Sequence, residues 1–178
     1  MTLMVLPVKT EPMRNLSRSI FITIVFLCIV QAVYYYPLLP DRVASHFGPS
    51  GRPDAWSGKE SFVMIYLLVV AFIASLFPVM GFVLRKTPST LINLPNRTYW
   101  LAPERRQETI DVISRQALWF GSATLLLMLD IFHQSFKIHL GQAQALQHPV
   151  LSIALYIGFC VSWSVGLLVK FIRRPIDG

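Results

Sequence analysis

The chain has 178 residues, 54% of them hydrophobic and only 14% charged, against soluble norms of roughly 45–50% and about 25%. That length suits one compact unit, and the balance excludes a disordered tail, a coiled coil and most soluble enzymes. Sixteen Lys and Arg against nine Asp and Glu give a net charge of +7, but the cations flank long apolar runs, which marks membrane topology and not nucleic-acid binding.

The first apolar run spans Ser19 to Leu39, behind Lys9, Arg14 and Arg18. It meets the need of about 20 helical residues for crossing a bilayer core. A cleavable signal peptide ending near Val30-Gln31-Ala32 is the rival reading. The run is longer than a signal core, and Tyr34, Tyr35 and Tyr36 form an interfacial belt, so a retained span is expected.

The loop at residues 40–61 comes next. Its Gly48-Pro49-Ser50-Gly51 stretch favours tight turns. Ser57 and Glu60 have the spacing of a capping box ahead of the second run, and Trp56 suits an interfacial anchor. His46, Arg52 and Asp54 have no evident structural duty. The second span covers Phe62 to Leu84, with Pro78 and Gly81 able to kink it.

Between residues 85 and 116, Pro88 and Pro95 break any helix, and Asn93 to Trp100 reads as a turn-rich surface segment. Pro103 suits a first helical turn. Glu104 to Gln116 is a helix-former with an Asp111–Arg115 pair at i, i+4, running on into the third span, Ala117 to Phe136. Within and just beyond it Asp130, His133, Gln134 and Lys137 fall at i, i+3, i+4 and i+7, on one helix face. A carboxylate inside a membrane is costly and faces the bundle interior with a partner, which His133 or Lys137 could supply. The fourth span is Val150 to Ile172. Cys28 and Cys160 both lie inside apolar runs, where they act as small hydrophobes and not as a disulfide or metal pair.

Twelve of the sixteen Lys and Arg fall in the N-terminal tail, the 85–116 segment or the C-terminal tail. The expected fold is therefore all-α: a polytopic membrane protein with four transmembrane helices, both termini cytoplasmic, and residues 1–178 forming a single membrane domain.

The pattern Leu39-Pro40, His46-Phe47, Gly51-Arg52-Pro53-Asp54 and Ser57-Gly58-Lys59 resembles the bacterial membrane family called domain of unknown function 1648. That family shows a proline, a His-Phe pair, a glycine, a Pro-Asp and a small-residue-lysine pair before a span. The resemblance covers about residues 20–85. Asn93-Leu94-Pro95-Asn96 with Tyr99-Trp100-Leu101-Ala102-Pro103-Glu104 is similar to a segment of some members. The same module occurs in SdpI-type proteins, some of which give immunity to a secreted toxin or relay its presence. The resemblance implies a multi-pass protein of a bacterial cytoplasmic (inner) membrane and a toxin-like peptide or envelope-stress signal as ligand.

Function is expected at the outer side. The first loop would fold over the third span, and His46, Asp54, Asp130, His133 and Gln134 are the ligand-binding candidates, for sensing or sequestering an extracytoplasmic peptide or small ligand. Imidazole and carboxylate also suit zinc or copper; His46, Asp130 and His133 are the candidates for that, without any fixed ligand spacing. No other cofactor is expected. Two alternatives stand: a structural accessory subunit with a membrane or cytoplasmic protein partner, and a small transporter. No H-E-x-x-H, G-x-S-x-G, Walker loop or G-x-G-x-x-G is present, so no enzyme is expected.

Overall fold

Apolar runs that must satisfy every backbone group internally become helices in lipid. The computed structural model describes residues 11–173, with side chains from residue 15 onward. It holds four helices long and apolar enough to cross a membrane: α1 (Glu11–Tyr35), α2 (Lys59–Lys86), α4 (Arg106–His139) and α5 (Pro149–Ile172). A short α3 (Arg97–Trp100) precedes α4. The 34 residues of α4 correspond to about 51 Å, far beyond a hydrocarbon core of about 30 Å. The polar Arg106–Arg115 stretch is thus a helical extension of the third span, as its composition suggested. The helix starts after Pro103, which lies in the preceding turn.

Helix α4 is the hub, with α1, α2 and α5 all packed against it. Tyr66, Leu125, Phe136, Cys28 and Val43 are fully enclosed. Close approach depends on Gly121, where an added Cβ would lie 2.6 Å from the Phe21 ring and 2.7 Å from the Phe77 ring. Lipid tails are as apolar as leucine, so packing and hydrogen bonds, not hydrophobic burial, bring such helices together. The bonds are present. Tyr66 donates to Gln31 Oε1 at 2.8 Å, and Gln31 Nε2 donates to the Leu129 carbonyl at 2.9 Å, joining α2, α1 and α4. Helix α5 differs from the others, because none of its most apolar window is buried inside the protein.

The fold departs from all-α between the first two spans. There β1 (Arg42–Phe47) and β2 (Pro53–Gly58) form an antiparallel hairpin. Val43 and Ala44 are fully buried and seat it on the helices. Gly51 sits at φ 73°, a left-handed turn position natural to glycine, and the Gly48 amide donates to the Arg52 carbonyl at 2.9 Å to close the turn. The expected Ser57–Glu60 capping box does not form: Ser57 is paired in β2, and the α2 N-cap, Gly58, has no side-chain bond. The hairpin base is tied instead by Lys59, whose amide reaches the Asp41 carbonyl at 3.1 Å and whose ammonium meets the Asp41 carboxylate at 2.9 Å.

At the opposite end, side chains from α3, its N-cap and the first residue of α4 cap two helix C-termini, where carbonyls lack intrahelical partners. Arg106 Nη2 donates to the carbonyls of Leu84, Arg85 and Thr87 at 3.4, 3.2 and 2.7 Å. Asn96 Nδ2 donates to the Phe171 and Ile172 carbonyls at 3.1 and 2.7 Å, and Trp100 Nε1 to Phe171 at 2.8 Å. Hydrogen bonds thus join the hairpin to the α4–α5 loop at one end, and the 87–105 segment to the end of α5 at the other.

Candidate ligand site at the hairpin end

The hairpin brings together two of the sequence candidates. His46 Nδ1 and Asp54 Oδ1 are 2.5 Å apart, with side chains 69% and 50% exposed. They sit either side of the turn, and Gly48 leaves room for the carboxylate, since a Cβ there would lie 3.1 Å from Asp54 Oδ2. A solvent-facing imidazole–carboxylate pair contributes little to stability and is available to a ligand.

Asp130 has partners, but neither of those expected. Its Oδ2 accepts from Gln134 Nε2 at 2.8 Å and from Ser152 Oγ, on α5, at 2.6 Å. His133 turns instead toward α1, its Nδ1 lying 3.2 Å from the Tyr35 hydroxyl. Successive residues step about 100° around a helix, so the i+3 and i+4 positions diverge enough for His133 to face α1 while Gln134 faces α5. Lys137 makes no ion pair among the described residues.

Gln134 is the hub of this end. It is buried, and its Oε1 accepts from the backbone amides of Gln147 and His148 at 2.9 and 3.1 Å, immediately before α5. The neighbouring Leu146 amide donates to the Gly51 carbonyl at the hairpin turn, at 3.0 Å. A polar chain therefore runs from the hairpin tip, through the α4–α5 loop, to Gln134, Asp130 and Ser152. His139 adds a second tie, its Nε2 3.1 Å from the Ala44 carbonyl of β1.

Asp130 is open to two grooves. One, about 520 Å³, lies between α1 and α4 and includes Leu27, Gln31, Tyr34 and His133. The other, about 550 Å³, is lined by α1, α4 and α5 with Trp119, Ser152, Tyr156 and Phe159. Both are mainly apolar troughs with a carboxylate at one end.

Residues 23–70 match the model of a protein family described as domain of unknown function (DUF1648). The similarity is to this segment, about a quarter of the chain. No curated protein and no solved structure matches the chain. The DUF1648 segment runs from within α1, through the hairpin, to the middle of α2. It contains the His46–Asp54 pair and the partly buried Gln31–Tyr66 bond, whereas Asp130, His133 and Gln134 lie outside it.

The structure does not gather the metal candidates. His46 is engaged by Asp54, Asp130 by Gln134 and Ser152, and His133 by Tyr35. Among the described residues no group of three His, Cys, Asp or Glu could hold a metal ion. Sequence reasoning missed Gln31, Tyr66 and Ser152. A glutamine inside the first apolar run was a usable signal, because polar residues within a span normally seek partners. Ser152 carried none, since a span serine can bond its own helix, as this one also does with the His148 carbonyl at 3.1 Å.

Proposed function

We propose that this integral membrane protein binds an extracytoplasmic ligand on its hairpin and transmits occupancy to the α4–α5 contact beneath. The reading is one of binding and not catalysis. It places the hairpin outside and both termini in the cytoplasm of a bacterial inner membrane. The orientation is supported by the charge bias of the whole sequence; Lys9 and Arg174, two of the cations counted, lie outside the described residues. The ligand is a toxin-like peptide or an envelope-stress signal, as the SdpI-type resemblance implies. The observation that carries the reading is the polar chain from the hairpin turn to Asp130, because it gives an exposed pair a route to a helix contact.

The test separates capture from coupling. A photo-crosslinking residue at the exposed Trp56 position should form ligand adducts in intact cells. His46→Ala with Asp54→Ala should abolish both adduct and response, while Gln134→Ala should keep the adduct and lose the response. Unchanged adduct and response in the hairpin double variant sinks the proposal. Orientation is read separately by an impermeant maleimide, with Cys28 and Cys160 replaced by alanine: Ser50→Cys should label in intact cells and Ser89→Cys only after permeabilisation.

A further inference from the structure

A further cavity, of about 360 Å³, lies at the far end of the bundle from the hairpin, where α1, α2 and α4 meet. We propose that it is a headgroup site for an anionic phospholipid. Three guanidiniums, Arg18, Arg85 and Arg115, line it with a single carboxylate, Asp111. The sequence spacing pairs Asp111 with Arg115, but the carboxylate is committed elsewhere. Its Oδ1 accepts from Arg85 Nη2 at 2.9 Å and its Oδ2 from Gln107 Nε2 at 3.3 Å. Arg18 and Arg115 have no hydrogen bond or ion pair among the described residues.

Two guanidiniums beside one cavity, without an anionic partner among the described residues, favour an anion, and their planar forks match phosphate oxygens bidentately. The rest of the wall decides which anion. Most of the remaining lining is apolar, with Phe21, Ile22, Phe77 and Leu118 beside the hydroxyls of Ser17 and Ser114. Ser114 already donates to the Ile110 carbonyl at 2.7 Å, and the apolar side chains suit the glycerol and upper acyl region of a lipid better than a free phosphate. Arg18 stands at the start of the α1 apolar run and Arg85 at the end of that of α2, the level at which headgroups meet a bundle. Basic pockets between membrane helices are recognised headgroup sites on physical grounds: the anion is drawn by charge and held by shape. This site is independent of the hairpin reading and stands or falls without it.

The experiment is native mass spectrometry of the full chain in neutral detergent, titrated with phosphatidylglycerol or phosphatidylcholine. Phosphatidylglycerol should bind more tightly by about 30-fold, the size expected from two cationic side chains at a membrane surface. Arg18→Gln with Arg115→Gln should bring the two lipids close to equality, and Arg18→Gln alone, at an exposed position, should remove part of the preference. Arg18→Lys with Arg115→Lys should restore most of it, which separates lost charge from lost fold. Lys86→Gln, at the same end but outside the cavity, should retain the full preference. An undiminished preference in the double glutamine variant overturns the proposal, as does an equal loss in Lys86→Gln. Inorganic phosphate that displaces phosphatidylglycerol while binding as tightly by itself would assign the site to a soluble anion and also overturn it.

Discussion

Replacing Gln134 by alanine should release the start of α5 while leaving the bundle folded. The side chain accepts two backbone amide bonds, from Gln147 and His148 at 2.9 and 3.1 Å, and donates one to Asp130 at 2.8 Å. Gln147 and His148 are themselves exposed, so water can partly replace the lost acceptor, and each amide bond belongs at the low end of its range. Two such bonds at about 1 kcal/mol each, typical of a helix cap, give about 2 kcal/mol. That is about 30-fold in the local opening equilibrium. Hydrogen–deuterium exchange of the reconstituted protein reads this directly: the Gln147 and His148 amides should exchange about 30-fold faster, while the middle of α4 keeps its protection. Gln134→Glu should fall between the two, because it keeps the acceptor but sets a carboxylate against Asp130. An unchanged rate at Gln147 and His148, or an acceleration spread evenly over α5, would refute the assignment of Gln134 as the clamp.

Three further outcomes are expected. Gly121→Ala should lower the thermal midpoint in detergent by overpacking at about 1–3 kcal/mol, since its Cβ would lie 2.6 and 2.7 Å from Phe21 and Phe77; an unchanged midpoint would mean that these rings yield freely. Arg106→Ala should strip the donor from three carbonyls at the end of α2 and raise proteolysis around residues 85–91, with Ser50→Cys labelling at the hairpin unaltered. At Asn96, which holds φ 52° and donates to two carbonyls at the end of α5, Asn96→Gly should be milder than Asn96→Asp. Glycine only loses the bonds, whereas aspartate turns an acceptor toward the two carbonyls; the ranking is read from amide exchange at the end of α5.

The spans were legible in the sequence because hydropathy acts locally: each expected range falls within a few residues of its helix, apart from the polar extensions at the starts of α1 and α4. The hairpin was not legible. Its turn glycines were visible, but β1 reads Arg-Val-Ala-Ser-His-Phe, with adjacent Val43 and Ala44 both buried beside a register shift between Ala44 and His46. A bulge of that kind breaks the two-residue alternation that marks a strand. The polar site was half legible. Helical spacing picked out Asp130 and Gln134 correctly as neighbours and grouped His133 with them, but periodicity along one helix is blind to what other helices bring. That is why Ser152 and Tyr35 were missed, and why Asp111 was given Arg115 in place of Arg85. His46 and Asp54 were each identified as unexplained residues, and the hairpin supplies the pairing.

Helix α5 shows what the polar contacts decide. An apolar helix whose most hydrophobic window contributes nothing to the protein core loses little by exchanging protein neighbours for lipid, so its position cannot be set by burial. Polar bonds fix it at three levels: Gln134 and Asp130 near its start, Thr124 Oγ1 with the Tyr156 hydroxyl at 3.0 Å midway, and Asn96 with Trp100 at its last turn. The contacts near the start differ from the others in kind. They alone include a carboxylate, and they alone connect through Leu146 to the hairpin turn. On the proposed reading, a disturbance of the turn or of the Asp130 carboxylate should loosen one end of α5 while the bonds at the Asn96 end hold, so the expected response is a tilt and not release of the helix. Buried core helices could not respond in this way, because each would have to give up packing along its whole length.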